Sequence, residues 1–133
     1  MSRQILQPPG WPRPKGYANG IAASGRLVFT AGVVGWSESE EFEARDLAGQ
    51  FRQALLNTRA ILAEAGATPA DIVRVTGYIT DKRAYLAARA EIGAAWREVF
   101  GKVFPCMAMV EVSALIEDAA LVELETTAIV EAA

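Results

Sequence analysis

The chain has 133 residues and a net charge of -3, and 52% of its residues are apolar. This length and composition predict one folded domain over residues 1–133, which buries roughly two-thirds of the surface of its unfolded chain. The weakly acidic balance, without a Lys/Arg cluster interleaved with aromatic residues, argues against nucleic-acid binding. A membrane span is not expected either, because glutamates interrupt the hydrophobic C-terminal third at Glu111, Glu117, Glu123 and Glu125.

The chain contains no histidine and a single cysteine, Cys106. The lack of histidine excludes Ser-His and Cys-His nucleophilic pairs, and it excludes the common zinc and non-haem iron ligand sets. Any general acid or base must therefore be Glu, Asp, Tyr, Lys or a bound water. One cysteine cannot form an intrachain disulfide, and residues 1–15 lack the apolar core of a signal peptide. We therefore expect a cytoplasmic protein.

Turn and cap residues divide the chain into eight predicted elements. A proline-rich segment follows the first strand, Ser24-Gly25 is predicted to be the turn of a hairpin formed by the second and third strands, and residues 33–45 form an acidic loop. Asp81 is predicted to cap the second helix. The elements are, in chain order, strands 3–7, 17–23 and 26–31, a helix from Asp46 to its cap at Gly66, strand 72–80 after a capped turn at 68–71, a helix between Asp81 and Gly101, and strands 107–114 and 120–130.

Both predicted helices are amphipathic. Their apolar faces are Leu47, Phe51, Ala54, Leu55, Thr58, Ile61, Leu62 and Ala65 in the first, and Tyr85, Ala88, Ile92, Ala95, Trp96 and Val99 in the second. Arg89 lies off the second face, and a solvated position is its simplest interpretation. The order β-β-β-α-β-α-β-β predicts an α+β fold in which two helices cover one face of a mixed sheet.

The segment Phe104-Pro-Cys-Met-Ala-Met-Val-Glu-Val112 carries the most unusual pattern. As a strand it alternates two methionines and a glutamate with smaller apolar residues. The sheet face away from the helices is then predicted to carry Met107, Met109, Glu111, Glu123 and Glu125. Methionines beside carboxylates are typical of a partly enclosed pocket, and an edge strand buried by self-association explains them equally well.

Several segments carry a family resemblance, and they are Leu27-Val-Phe-Thr-Ala-Gly32, Gln53-Ala-Leu-Leu-Asn-Thr58, Ala63-Glu-Ala-Gly-Ala67, Asp71-Ile-Val-Arg-Val-Thr76, Phe104-Pro105, Val110-Glu-Val112 and Val122-Glu-Leu-Glu125. In their order and spacing the sequence resembles the RidA/YjgF family over nearly its whole length. The resemblance implies a chorismate-mutase-like fold and a homotrimer with ligand clefts between subunits. In active members it also implies hydrolysis of reactive enamines and imines of 2-amino acids to 2-keto acids and ammonia, with no metal or organic cofactor.

The resemblance also implies roles for individual residues. Four positions match residues of the family's cleft: the water-handling glutamate at Glu123, a second strand glutamate at Glu111, an aromatic residue at Tyr17 and a backbone-contributing glycine at Gly32. The family's carboxylate-binding arginine should stand two residues after the proline of Phe-Pro. This chain has Met107 there, which predicts poor binding of the usual imines.

Two explanations of the missing arginine are open. In the first, Arg89 replaces the cation, because a polar cleft residue of the family falls there. In the second, Cys106, Met107 and Met109 line an apolar pocket that accepts another ligand or performs no catalysis. Cys106 is expected to be buried and inert. The sequence therefore predicts either a deaminase-like hydrolase with a shifted substrate preference or a non-catalytic small-molecule-binding member, whereas RNA cleavage has neither a basic surface nor histidine to support it.

Overall fold

A mixed five-stranded sheet carries three helices on one face in the computed structural model, which describes residues 3–132. The elements are, in chain order, β1 (Gln4–Ile5), β2 (Ile21–Ala22), β3 (Arg26–Phe29), β4 (Val33–Val34), α1 (Leu47–Glu64), a 3-10 turn (Pro69–Asp71), β5 (Ile72–Ile79), α2 (Lys82–Ala87), α3 (Arg89–Val99), β6 (Cys106–Glu111) and β7 (Val122–Val130). The strand order is β3-β7-β5-β6, and β4 also pairs with β7. The β5–β6 pair is parallel, and the other pairs of this sheet are antiparallel. This arrangement confirms the predicted α+β class.

The helices cover the sheet because each turns an apolar face inward. In α1 the side chains of Phe51 and Leu55 are completely buried, as the predicted stripe requires. Ile61, which the same pattern placed on that face, lies at its edge and is 43% exposed. The core continues into the sheet and α3 through Ile72, Val75, Ile79, Ile92, Ala95, Val99, Val122, Leu124 and Ala128. Each large side chain buried here contributes about 1.5–3 kcal/mol, so this cluster is the main source of stability.

The predicted cap residues end and begin the helices. The side chain of Asp81 accepts hydrogen bonds from the backbone N–H groups of Arg83 and Ala84, at 2.9 and 3.1 Å. Gly66 and Gly101 follow α1 and α3 with φ angles of 72° and 82°. A side chain at either position would be strained in this left-handed conformation, which explains glycine at both helix ends.

The second predicted helix is in fact two helices. α2 ends at Ala87 and α3 begins at Arg89, and the backbone of Ala88 between them has φ -97° and ψ 7°. The apolar periodicity continues across this residue, so the pattern alone predicts one continuous helix. The break places Arg89 at the first position of α3.

The predicted hairpin around Ser24-Gly25 is wrong. β2 pairs with β1 in a separate two-stranded sheet, whereas β3 pairs with β7 at the other end of the chain. β4 was predicted to be part of the acidic loop, and two residues are too few for an alternating pattern. Sequence alternation identifies strands but not their partners, so these pairings depend on tertiary contacts.

Strand register decides which residues share a face of the sheet. Gly77 of β5 lies opposite Met109 on one side and Leu124 on the other, and Met109 and Leu124 belong to the core under the helices. Tyr78 and Glu123, one position along, pair with each other and therefore point away from the helices. We call this uncovered side the open face.

The predicted grouping of two methionines with two glutamates is therefore wrong. Met107 and Met109 pack beside the core on the helix-covered face. Glu123 and Glu125 lie on the open face, because they alternate with fully buried residues of β7. The alternation within each strand was predicted correctly, but nothing in the sequence relates the parity of β6 to that of β7, and a shift of one residue moves a whole set to the other face.

Gln50 of α1 ties the helix to the segment that leads into β7. The residue is 1% exposed, and its Nε2 donates to the carbonyl oxygens of Ala44 and Ala119 at 3.2 and 2.9 Å. Its Oε1 accepts from the N–H of Leu121 at 2.8 Å. These bonds set the start of β7, and with it the position of Glu123.

We expect Gln50→Leu to lower the free energy of unfolding by about 2–4 kcal/mol, because buried backbone groups lose their partners while the side-chain volume stays similar. Urea unfolding followed by circular dichroism measures the change. Gln53→Leu on the same helix is the control, since the Gln53 side chain donates to the side chain of Asn57 at 2.8 Å. The control should cost less than about 1 kcal/mol, and equal losses in both variants would contradict the role of Gln50.

Candidate functional site

Five of the seven predicted site residues form two groups on opposite faces of the sheet. Tyr17, Arg89 and Met107 line one cavity on the helix-covered face. Gly32 and Glu123 lie together on the open face. The two groups therefore lie on opposite sides of the sheet within one copy of the chain.

The cavity on the helix-covered face, which we call the helix-side cavity, has a volume of about 350 Å³. It lies between α3, β6 and the segment around Tyr17. No Asp or Glu among the described residues is part of its lining. Its apolar walls and its two cations are supplied by Ile92, Trp96, Met107, Met109, Lys15 and Arg89.

Arg89 carries a charge close to a partly buried phenol. Its Nε donates to the carbonyl oxygen of Leu86 at 3.3 Å, which holds the side chain near the α2–α3 break. Burial raises the pKa of Tyr85 above its usual value, and the guanidinium of Arg89 acts in the opposite direction. Arg89 is exposed, as its simplest interpretation predicts, and it also lines the cavity, where its charge acts on the pKa of Tyr85.

Met109 lies across the backbone of β5. A Cβ added to Gly77 would overlap the Sδ and Cε atoms of Met109, so the missing side chain at Gly77 makes room for the thioether. Met107, at the predicted position of the family arginine, pairs with the buried Val75 and reaches the same cavity. Both methionines thus line the helix-side cavity, whereas Cys106, which was predicted to line a pocket with them, does not.

Cys106 and Glu111 lie outside the helix-side cavity. Cys106 pairs with Arg74, on the face opposite Met107, and is partly rather than fully buried. Oε1 of Glu111 accepts a hydrogen bond from the N–H of Lys82 at 2.7 Å, where α2 begins. This bond joins β6 to α2, and the ligand-binding roles of Cys106 and Glu111 stay predictions.

Gly32 and Glu123 are in direct contact on the open face. A Cβ added to Gly32 would overlap Oε2 and Cδ of Glu123, so the carboxylate occupies the space that any larger residue would need. Val34, two residues after Gly32, pairs with Glu123 in the β4–β7 ladder. The space beside Gly32 is thus filled by a side chain of the same chain.

Tyr78 completes the open-face group, although it was not among the site residues predicted from the sequence. It lies directly opposite Glu123, and its hydroxyl donates to Oε1 of Glu125 at 3.1 Å. This hydrogen bond, followed by partial burial and the charges of Glu125 and Glu123, raises the pKa of Tyr78. The alternation of β5 was the sequence signal available for Tyr78, because it places Tyr78 on the other face of the strand from its neighbour Ile79, which is buried.

No group of three or more His, Cys, Asp or Glu side chains in residues 3–132 is arranged to hold a metal ion. None of the helices described is long and apolar enough to cross a bilayer.

We expect Arg89→Gln to raise the pKa of Tyr85 further, because the substitution removes the positive charge that favours the phenolate while burial still opposes it. Spectrophotometric titration of the phenol measures the change. All proteins carry Tyr78→Phe, which removes the other tyrosine with a raised pKa. Arg97→Gln on the same helix is the matched control, and an equal response in both variants, or none in Arg89→Gln, would contradict the placement of the Arg89 charge.

Comparison with known proteins identifies the family. The family model described as Endoribonuclease L-PSP matches residues 12–130. The chain is 32% identical to a RutC family protein of Pyrococcus abyssi over 129 residues, which are 96% of this chain and 98% of that protein. It is 31% identical over 113 residues to a Salmonella typhimurium protein named 2-iminobutanoate/2-iminopropanoate deaminase, with 85% of this chain and 86% of that protein covered.

A solved structure gives the same result for the fold. A protein of unknown function of the Rid family from Yersinia pestis matches with a TM-score of 0.83 and 34% identity, over 98% of this chain and 100% of that one. The match covers the sheet and helices that carry both residue groups. The chain therefore belongs to the family described as endoribonuclease L-PSP, which is the RidA/YjgF family that its sequence resembles.

Proposed function

We propose that the chain is a deaminase-like hydrolase that converts a reactive imine or enamine of a 2-amino acid into the 2-keto acid and ammonia. Relatives named as 2-imino acid deaminases support this reaction class. The observation that carries the proposal is that Arg89 lines the same cavity as Met107, the position where the family's arginine is expected. The chain thus has a positively charged side chain in the cavity where the family's arginine is expected.

The reaction needs few groups. Water adds to the imine carbon while a carboxylate accepts one of its protons, and Glu123 is the carboxylate in this proposal. That proton then passes to the nitrogen, and the new hydroxyl on carbon gives up its own proton, which the nitrogen also takes. The carbon–nitrogen bond breaks as ammonia leaves with the bonding electron pair, and the keto group forms. Nitrogen is exchanged for oxygen without any change in oxidation state, so no redox partner is consumed.

Arg89 holds the substrate carboxylate in this scheme. No carboxylate of the described chain competes for it on the cavity lining, and Lys15 adds a second positive charge. The walls formed by Trp96, Met107 and Met109 favour a 2-imino acid with an apolar or aromatic side chain over the smallest substrates. The substitution of arginine by Met107 then shifts the substrate preference rather than ending the activity.

A complete site needs two copies of the chain, since Arg89 and Glu123 lie on opposite faces of the sheet. We therefore place the reaction in a cleft between subunits of a homotrimer, where the helix-side cavity of one copy meets the open face of the next. Exposed apolar side chains on and beside the open face support such burial. Leu27, Phe29 and Val110 are 56%, 67% and 43% exposed.

A non-catalytic small-molecule-binding protein is the second candidate. It is favoured by the two methionines on the walls of the helix-side cavity, which suit an apolar ligand without any hydrolytic step. In this case ligand affinity depends on Met107 and Met109 and is independent of Glu123. Ribonuclease activity, which the family description mentions, is a weaker candidate, because a chain with net charge -3 and no histidine offers little attraction for RNA.

We expect Glu123→Gln to lower kcat about 10²- to 10⁴-fold, as loss of a general base does, and Arg89→Gln mainly to raise KM. Mixed oligomers of the two variants should regain activity in about a quarter of their clefts, because random assembly places an intact Arg89 beside an intact Glu123 at that frequency. The measurement is keto-acid release from freshly generated 2-aminoacrylate and from an aromatic 2-imino acid.

The matched control mixes Glu123→Gln with the Glu123→Gln/Arg89→Gln double variant, in which no cleft holds an intact pair. Recovery in the control, or none in the test mixture, would contradict a cleft built by two copies. If the unmodified protein releases keto acid no faster than buffer from either substrate, the hydrolase proposal is wrong and the binding candidate is favoured.

We expect Gly32→Ala to lower kcat roughly tenfold or more with little change in stability, because the new methyl group must displace the Glu123 carboxylate rather than backbone. Steady-state kinetics and urea unfolding measure the two effects. The control is the same substitution in a Glu123→Gln background, where it should have little further effect on kcat. Equal effects in both backgrounds would show that Gly32 acts independently of Glu123.

A further inference from the structure

A second cavity, larger than the helix-side cavity, lies between the N-terminal segment and the loop before β6. Its volume is about 620 Å³, and we call it the N-terminal cavity. Three cationic side chains line it, Arg3, Arg13 and Lys102. No Asp or Glu among residues 3–132 is part of the lining, although the whole chain has a net charge of -3. The charge of this cluster is therefore opposite in sign to the net charge of the chain.

Arg3 is held in a fixed orientation. Its Nη1 and Nη2 donate to the carbonyl oxygens of Ala70 and Ile72, at 2.7 and 2.6 Å. A guanidinium has five N–H donors, so the remaining ones are available to a ligand. Both partners are neutral, which leaves the positive charge of Arg3 uncompensated.

Hydrogen bonds also fix the wall that carries Arg13. The side chain of Gln7 donates to the carbonyl oxygens of Trp11 and Pro12 at 3.0 and 3.2 Å, and it accepts from Asn19 at 2.9 Å. Prolines on both sides of Arg13 restrict the backbone further. The N-terminal segment is thus a defined structure rather than a loose loop over the cavity.

The opposite wall is fixed in the same way. The N–H of Ala18 donates to the carbonyl oxygen of Pro105 at 3.0 Å, and the indole of Trp96 donates to that of Val103 at 2.9 Å. Lys102 therefore stands on a segment joined both to the N-terminal segment and to α3. A wall of this kind keeps the cations together even though like charges repel.

We propose that the N-terminal cavity binds a small anion carrying two or more negative charges, either a polycarboxylate or a phosphate-bearing molecule. The volume lies in the range of ordinary small-molecule sites. Neither Arg13 nor Lys102 makes an ion pair within the described chain, where the recorded salt bridge joins Arg52 to Glu98. Arg13 and Lys102 are exposed to solvent. Several cations around one open cavity favour a multiply charged ligand over a single carboxylate, because each added charge pairs with a further cation.

This site uses charged side chains other than those of the proposed hydrolase. Its cations are not those of the helix-side cavity, where Lys15 and Arg89 lie, and the two cavities share Gly16 and Tyr17. Anion binding and imine hydrolysis can therefore fail separately. Binding is measured directly, so the test does not depend on any turnover.

The test is isothermal titration calorimetry of the full chain at low ionic strength with inorganic pyrophosphate, citrate and acetate. We expect one pyrophosphate or citrate per chain, weaker binding as salt rises, and much weaker binding of acetate. Arg13→Gln/Lys102→Gln should weaken the polyanion roughly 100-fold, at about tenfold for each charge-assisted contact. The tighter of the two polyanions identifies the ligand as phosphate-bearing or polycarboxylate.

Arg45→Gln/Arg83→Gln is the matched control, because it removes two exposed positive charges that lie outside the cavity lining. Equal weakening in both double variants would show a general charge effect and overturn the proposal. Acetate binding as tight as citrate would also overturn it. The proposal is also overturned if the unmodified chain binds neither polyanion. This outcome includes the case in which an acidic side chain of another copy fills the cavity.

Discussion

β7 is paired along both of its edges, and this pairing constrains the whole molecule. Each of its residues must face either the helices or the open face, with no intermediate orientation. Val122 and Leu124 are completely buried, so Glu123 between them is held by the packing of both neighbours. A carboxylate on such a strand has few accessible orientations. This restriction suits the role that we propose for Glu123, the positioning of a water molecule.

The same constraint separates the chemistry of one copy into two halves. The sheet stands between the cation of Arg89 and the carboxylate of Glu123, and no side-chain rotation brings them together. A monomer would therefore carry two incomplete surfaces, one apolar with cations and one acidic. On this proposal the chain is active only when it is assembled, so dilution that dissociates the subunits would abolish the activity.

Local features of the fold were predictable from the sequence, and long-range features were not. The helix faces, the cap of Asp81 and the glycines that end α1 and α3 follow from residues close together in the chain. The pairing of β3 with β7 and the parity of β6 depend on residues far apart, which alternation cannot relate. Arg89 was a candidate only through the family resemblance, because the helix break that places it at the cavity has no signal in an unbroken apolar stripe. The alternation of β5 gives the face of Tyr78, but its pairing with Glu123 and the formation of the N-terminal cavity depend on contacts of the same long-range kind.

The contact between Gly32 and Glu123 also limits how this protein can diverge. Any side chain at position 32 needs the space of the carboxylate, so the two positions cannot change independently. On the hydrolase proposal, a descendant that no longer activates water could carry a shorter residue in place of Glu123, and position 32 would then tolerate alanine or serine. On that proposal, descendants in which both positions have changed together would have lost hydrolysis. Descendants that keep both the glycine and the glutamate would be those in which selection still maintains hydrolysis.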